Sequence, residues 1–529
     1  MTARIGIDFG TANTVVARWD EARGRGEPVP LDGIDLTRSG GGVRQRVVPS
    51  LLAYSNTGTQ RWLGAQVVDR FADPDVTVFQ STKSNVTGRA VDIPRAVGSR
   101  RITAREAATQ FLGDVTALAV LAVGADDLEV VATAPVETFD TYRDWLVGEV
   151  GAGIGAARLR VVDEATAAAV GYSARMSPGD VFCVFDFGAG TLDVSVVRVE
   201  DAGGAGAGVR SIAKVGLDLG GNHVDALLAE HVAAETGLCH GDPVTFNQVF
   251  RPLLIAAEAA KVELTHAARS TVATTDPVSG REYRTEVTRS RFERLLRDKD
   301  VLGRANRALR RALEGAAAKG YPADGFAGVF LVGGTSLIPA VRDLVNLQFE
   351  PELVHLDRPL EAVAAGAAGI AGGRELHDHI QHDYAIRHVD ARTGTYEYEV
   401  LVEAGTAYPT QEPVRSITIK AIHPAQQRMG IAVYELAHAT SGADLEIVFD
   451  ALGGARTVAV TPQHRQERST LWLNEDSPTF LTADPPAAAG VDRFRLDFRI
   501  DAQKRLTVSA FDLERRTWVL AGHPVVQLA

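Results

Sequence analysis

Val184-Phe185-Asp186-Phe187-Gly188-Ala189-Gly190-Thr191 repeats the pattern that opens the same chain, Ile5-Gly6-Ile7-Asp8-Phe9-Gly10-Thr11. In each copy an apolar strand ends in Asp and a glycine-containing turn follows. An alternating apolar strand then resumes, at Val15-Val16-Ala17 or at Val194-Ser195-Val196-Val197. Glycines permit the backbone angles that a tight strand–turn–strand connection needs. Recurrence at half-domain spacing predicts two similar lobes facing one another.

Between the copies, helical and strand patterns alternate: helix over 106–122, strand over 128–133, helix over 137–150 and strand over 159–162. Beyond the second copy, Gly220-Gly221-Asn222 leads into a helix over 224–235. Helices are expected around 253–264 and 291–319, then a strand at 328–332 ending in Gly333-Gly334-Thr335-Ser336, and a helix from Pro339. Such alternation indicates α/β layers. From about Glu375 the pattern changes to strands, at 396–400, 417–420 and 445–449. It is clearest in 494–500, followed by a turn at 501–504 and a partner strand at 506–510. The tail reads as an antiparallel β module.

A chain of 529 residues is too long for one core. Its net charge of −12 argues against nucleic acid as a partner. The two cysteines, Cys183 in an apolar run and Cys239 in a polar turn, do not form a disulfide framework. No apolar leader precedes Ile5, and the small-apolar run 362–371 is about half of the roughly 20 residues a membrane helix needs. A soluble, cytoplasmic protein without a membrane partner is expected. Lys83 is the first lysine in the chain, and the next is Lys214.

A nucleoside triphosphate is held by backbone N–H groups, hydroxyls and carboxylates that bind Mg²⁺. Gly10-Thr11-Ala12-Asn13 and Gly188-Ala189-Gly190-Thr191 offer the first two, and Asp8 and Asp186 offer carboxylates at strand ends. Glu164 follows a strand and opens an alanine-rich helix, where it can orient an attacking water. Either loop alone could be an ordinary turn. The matched pair, joined by Glu164 and Gly333-Gly334, reads as a nucleotide site.

These segments, together with Val332-Gly333-Gly334-Thr335-Ser336-Leu337-Ile338-Pro339, resemble the phosphate and adenosine motifs of the actin-like ATPase superfold, built on ribonuclease-H-like repeats. Val48-Pro49-Ser50, Asp163-Glu164-Ala165-Thr166-Ala167-Ala168-Ala169 and Leu219-Gly220-Gly221-Asn222 with Asp225 narrow the resemblance to the seventy-kilodalton heat-shock chaperones. The stretches 401–410 and 500–510 look like that family's peptide-binding β-sandwich. The resemblance implies an actin-like ATPase domain over 1–373, a polar linker over 374–383, and a β-sandwich over 384–529. It implies ATP or ADP with Mg²⁺ as ligands, and extended or unfolded polypeptides and co-chaperones as partners. By resemblance, Asp8, Asp186 and Asp193 hold hydrated Mg²⁺, and Thr11 and Thr191 meet phosphate oxygens. Glu164 couples hydrolysis to movement, with Asp8, Asp186 and Thr191 in the catalytic set. Gly10, Ala12, Asn13, Gly188, Ala189, Gly190, Gly220 and Gly221 line the nucleotide. Glu258, Lys261 and Thr265 lie on the helix toward adenosine, with Gly333, Gly334, Thr335 and Leu337 as the opposite wall.

The departures bear on catalysis. The family places a catalytic lysine shortly after a V-G-x-x-A segment, where Leu63-Gly64-Ala65-Gln66-Val67-Val68 puts Val68. Lys83 aligns with a later, non-catalytic lysine and is read as a structural or surface residue, with a reach to the γ-phosphate as the alternative. Without a cation on the transferred group, hydrolysis should be slow. Leu337 replaces an arginine that stacks on adenine, Ala12 a hydroxyl residue and Ala189 a glycine. The eighteen residues after Phe511 are too few for the family's helical lid. Three functions follow: a chaperone-like ATPase, a nucleotide-gated interaction or scaffold protein with little turnover, and a small-molecule kinase of the same superfold, which the β tail speaks against. Asp186-Phe187-Gly188 lacks the other protein-kinase motifs. Gly151-Ala152-Gly153-Ile154-Gly155-Ala156 reads as a plain connection, 203–208 as a hairpin tip, and His377, His379, His382 and His388 as part of a solvated polar segment.

Overall fold

The computed structural model describes residues 2–40, 42–71, 73, 75–86, 93–125, 127–135, 140–154, 158–172, 177–201, 207–240, 243–373, 380, 382–389, 396–406, 408–421, 423–436, 445–449, 455–459, 470–474, 479–501 and 505–528. Two compact units result. One comprises Met1–Leu376 with Ala439–Pro462, and the other His377–His438 with Gln463–Ala529.

The first unit is mixed α/β. One sheet runs in the order Arg158–Asp163, Asp127–Ala134, Thr2–Phe9, Asn13–Asp20, Val43–Pro49, Leu36–Gly40, with Arg25–Pro28 also on Asn13–Asp20. The other runs Ala207–Leu217, Leu192–Asp201, Val181–Phe187, Gly328–Val332, Val354–His355. The sequence echo becomes an echo of pairing. Thr2–Phe9 pairs antiparallel with Asn13–Asp20 and parallel with Asp127–Ala134. Val181–Phe187 does the same with Leu192–Asp201 and Gly328–Val332. Strands buried on both faces are continuously apolar, which accounts for Val181–Phe187 being buried throughout.

Helix Ala104–Val123 is long and apolar enough, by length and composition, to cross a membrane. Here it begins at a capping box between Thr103 and Glu106, and Phe111, Leu112 and Val115 enter the core beside Ile5, Ile7 and Phe9. The helices Glu164–Tyr172 and Ala362–Ala371 share a third apolar cluster with Val131 and Val162 of one sheet and Phe182, Val184 and Phe330 of the other. Their alanines and glycines allow close crossing: a Cβ on Gly366 would lie 1.7 Å from the Ala167 carbonyl oxygen.

Several expectations change. The helix expected over 291–319 is two, Arg289–Asp298 and Val301–Ala318, broken where Asp300 takes a φ of 56°. The helix expected from 137 is described from Asp140 and runs to Ile154, so Gly151–Ile154 finish a helix and do not form a connection. Residues 137–139, 155–156 and most of the hairpin tip, 203–206, lie outside the described residues.

In the second unit the named strands pair antiparallel. One sheet runs Arg415–Lys420, Asp492–Ile500, Arg505–Asp512, Thr517–Gln527, and another Tyr396–Val402, Asp383–Val389, Val433–Leu436, Thr470–Trp472. Alternation in Asp492–Ile500 sends Phe494, Leu496, Phe498 and Ile500 into a core with Leu506, Val508 and Ala510. The hairpin Leu445–Phe449 with Ala455–Ala459, expected in the tail, groups with the first unit, where Thr457 Oγ1 donates to Glu230 Oε1 at 2.5 Å. The end of the segment read as a polar linker is packed: Ile380, His382 and Asp383 are buried, and His382 Nε2 lies 3.4 Å from Glu435 Oε1. His388 lies in the strand Asp383–Val389. His377 and His379 fall outside the described residues.

Candidate functional site

Asp8 and Asp186 are each the penultimate residue of a strand, held there by the two hairpins. The turns that follow touch. A Cβ on Gly190 would lie 2.7 Å from Thr11 Oγ1, so the glycine leaves room for the opposing threonine. Ser50, from the Val-Pro-Ser segment, donates to the Gly10 carbonyl at 2.7 Å and bonds Thr14 Oγ1 at 2.9 Å, fixing the first turn from behind. The second turn is closed by Gly188 N donating to Thr191 O at 2.9 Å, and carries Asn222 N on Ala189 O at 2.8 Å.

Glu164 opens its helix because Asp163 caps it: Thr166 N and Oγ1 each donate to the Asp163 carboxylate at 2.7 Å. Burial would raise Asp163, but Lys214 at 3.3 Å and the Thr166 bonds outweigh it and hold the group below the usual carboxylate range. Glu164, only 8% exposed, accepts a bond at 2.6 Å from Lys83 Nζ, itself 6% exposed. Lys83 is therefore no surface residue. Burial acts to lower its pKa, while Glu164, Tyr142 and Asp8 raise it by more. Val68 is 41% exposed.

Asp8 accepts a bond from Thr133 Oγ1 at 3.1 Å and is pushed up to about 7, by burial first and then by Glu164, with Lys83 and Thr133 opposing. Asp186 is raised well above its ordinary value by burial, Glu164, Asp193 and Asp8. Asp8 and Asp186, each raised in part by its acidic neighbours, form with Glu164 and Asp193 an oxygen-only set, which suits a hard divalent cation. Among the described residues no three His, Cys, Asp or Glu side chains gather closely enough to hold a metal ion directly.

The other wall centres on Gly333, whose φ of 79° favours glycine; a Cβ there would meet the Phe187 carbonyl oxygen at 2.4 Å. Thr335 Oγ1 donates to Gly188 O at 2.8 Å, joining this wall to the second turn. Lys261 Nζ bonds Asp225 Oδ2 at 2.8 Å and Gly221 O at 3.3 Å. Burial nevertheless lifts Asp225 to about 7 against the pull of Lys261. Gly220 and Gly221 are buried beside this pair; Leu337 and Thr265 are half-buried; Gly334 and Glu258 are exposed. Ala12 and Asn13 lie half-buried in the first turn, and Asn13 Oδ1 finds no partner among the described residues. That atom and the donors of both turns fit a phosphate chain, since turning the Asn13 amide over would present its N–H₂.

The family profile described as Hsp70 protein matches residues 4–441. The chain belongs to the Hsp70 family. It is 28% identical to the "Chaperone protein dnaK" of Emiliania huxleyi over 96% of this chain and 77% of that protein. It is 27% identical to the "Chaperone protein HscA homolog" of Bordetella pertussis over 96% of this chain and 75% of that one. An Hsp70 chain is an ATP-dependent chaperone, so ATP and ADP are its ligands and the mixed α/β architecture is that of its nucleotide-binding part.

Within this Hsp70 chain, four participants had been given no role in the site from the sequence. Thr133 bonds Asp8, Asp225 holds Lys261, and Asn222 Nδ2 donates to Ser81 Oγ at 2.9 Å. Tyr142 is the fourth: its buried hydroxyl has no hydrogen-bond partner among the described residues, and it senses the charges of Lys83, Glu164 and Asp8. Asn222 and Asp225 carried a signal, both lying in the segment Leu219-Gly220-Gly221-Asn222 with Asp225.

Proposed function

We propose that the chain is a two-lobed, actin-like ATPase over 1–373, linked by 374–383 to a polypeptide-binding β module over 384–529, and that it hydrolyses Mg-ATP slowly to gate the grip of that module. The observation that carries this is the contact of Thr11 with Gly190, which brings both phosphate-type turns together beside Asp8, Asp186 and Glu164. In this reading, Thr11, Thr191 and the backbone N–H groups of both turns grip the phosphates. Asp8, Asp186 and Asp193 hold magnesium through water, and Gly220, Gly221, Glu258, Lys261, Thr265, Gly333, Gly334, Thr335 and Leu337 surround the nucleoside. Magnesium, when bound, neutralises charge on the phosphate oxygens. Glu164 takes up the proton of the water that attacks the terminal phosphorus. Extended polypeptide would lie as an added strand on the β module, with co-chaperones as further partners and the cytoplasm as the expected compartment.

Single-turnover hydrolysis of ATP with Mg²⁺, on the protein and on Glu164→Ala, tests this. The reading expects turnover in the wild type that falls by roughly 100-fold in the variant. The exposure of Val68 favours a second reading, a nucleotide-gated interaction or scaffold protein. Tight ATP binding with no turnover in the wild type would select it. Binding of a labelled extended peptide to the full chain, compared between ATP and ADP, tests the gating.

A further inference from the structure

In the second unit, the sheet Tyr396–Val402, Asp383–Val389, Val433–Leu436, Thr470–Trp472 carries an arginine among aromatic rings. Alternation sends Tyr384, Ile386 and Val433 into the core, and so sets Arg387, Tyr398 and Tyr434 on the outer face. The Arg387 guanidinium lies 4.5 Å from the ring centre of Tyr396, 5.0 Å from that of Tyr434 and 5.5 Å from that of Trp472. The rings brace one another: Tyr434 stacks on Trp472 at 5.7 Å and meets Tyr398 edge-on at 5.2 Å. Trp472 is fixed in turn by its Nε1, which donates to the buried Asn474 Oδ1 at 3.0 Å.

Ring contacts occupy the flat faces of a guanidinium and leave its N–H groups, which lie in its plane, pointing outward. Arg387 is half-buried, and among the described residues no carboxylate or carbonyl accepts from it. The carboxylates on these four strands are turned elsewhere. Glu397 and Glu399 alternate to the opposite face, where Arg415 Nη2 holds Glu399 at 2.6 Å. Glu435 pairs with His382, and Asp383 accepts from Ala404 N at 2.7 Å. Covering the rings needs no charge, yet a cation with an unfilled donor edge stands here in a chain of net charge −12. Resting on the reading of this module as a polypeptide binder, we propose that Arg387 and its rings form a carboxylate-reading site. It selects extended segments that carry an aspartate or glutamate with an apolar or aromatic residue two positions away.

The strand Tyr396–Val402 ends the sheet on one side, and Arg387, one strand in, reaches it because its guanidinium lies over Tyr396. A polypeptide added beside that edge continues the pleat and sets every second side chain on the face of Tyr396 and Tyr398. A carboxylate on that face takes two parallel N–H bonds from the guanidinium. The rings already hold the fork in place, so little side-chain freedom is lost as the bonds form. The residue two positions on falls on the same face, where Tyr396, 65% exposed, offers a ring to pack against. Glutamine in place of the acid keeps the shape without the charge, and lysine meets the guanidinium as a like charge.

The test uses the full chain and short fluorescein-labelled peptides read by anisotropy, with ADP present and again with ATP. One peptide has a central glutamate and a phenylalanine two positions away; two others carry glutamine or lysine in place of the glutamate. Wild type should bind the glutamate peptide about 10-fold tighter than the glutamine peptide, and the lysine peptide weakest. Arg387→Gln should bring the glutamate and glutamine peptides within about twofold of each other, while Arg387→Lys, a charge without the fork, should keep only part of the preference. Free glutarate, a dicarboxylate without a backbone, should compete only at far higher concentration. Equal binding of the glutamate and glutamine peptides by wild type overturns the inference and leaves polypeptide binding standing, as does a preference that survives Arg387→Gln. If that variant does not fold, Tyr396→Ala removes a largely exposed ring that steadies the guanidinium, and an unchanged preference there overturns the inference equally. Glutarate competing as well as the peptide would overturn the choice of polypeptide. Failure of the wild type to bind any of the peptides in either nucleotide would instead bring down the polypeptide reading, and this inference with it.

Discussion

Asp8 and Asp186 hold the same place in two copies of one hairpin, yet their surroundings are unlike. Asp8 has a hydroxyl donor, Thr133, on the neighbouring parallel strand, and both Thr133 and Lys83 favour its charged form. On the strand parallel to Asp186, the chain continues into Gly333, whose missing Cβ would lie 2.8 Å from Asp186 Oδ1. Asp193 opposes Asp186 across its own hairpin and adds a like charge. The frame thus occurs twice, with the hydroxyl donor beside the first aspartate and the like charge beside the second, while Lys83 favours the charged form of both.

The largest expected break in the symmetry concerns the turns. A Cβ on Gly10 would meet the Asn13 carbonyl oxygen at 2.2 Å, backbone that cannot step aside. Gly10→Ala should cost roughly 2–4 kcal/mol of stability in a denaturant titration and remove ATP binding. The corresponding alanine at Gly188 meets nothing nearer than 3.7 Å and should unfold within about 0.5 kcal/mol of wild type.

A second contrast is in pH. Asp8 rises from 3.8 in the unfolded chain to about 7 in the fold. The folded state therefore holds the extra proton, and the stability this confers is complete below pH 4 and lost as pH rises through 7. Asp8→Asn, which never ionises, should gain on nucleotide-free wild type across that interval, by on the order of 2 kcal/mol. Thermal melts from pH 4 to pH 8 would show it. The same scan on Asp186→Asn should show a gain of the same sign, since Asp186 is raised too.

Gly190→Ala tests the contact between the turns. Its Cβ meets the end of Thr11, a side chain that can rotate, so the cost should be about 1 kcal/mol. Adding Thr11→Ala should recover most of that stability, a non-additive pair in a double-mutant cycle. The smallest effect is expected from Thr133→Val, at about 1 kcal/mol or less of stability, read by chemical denaturation.

The hairpins, the helix opened by Glu164 and the Asp492–Ile500 strand were legible because each is set by local pattern: an Asp at a strand end, a capping aspartate, strict alternation. What was not legible depended on contacts between distant segments. No glycine or proline marks the break at Asp300, and helical periodicity runs across it. His382 looked solvated among polar neighbours, but Glu435 on a later strand meets it inside the core. Lys83 was discounted on a resemblance that set the catalytic lysine at Val68, and its contact with Glu164 arises from two helices that no local pattern relates. Its only sequence clue was scarcity.

That scarcity gives the chain a built-in reporter. Amine-acylating reagents have a single side-chain target before Lys214, and it is sealed away and held protonated by Glu164. Acylation found in that span by mass spectrometry would therefore mark either the chain's terminal amine or molecules caught with Lys83 uncovered. Comparing samples with and without nucleotide would turn one lysine into a clock for how often the site opens.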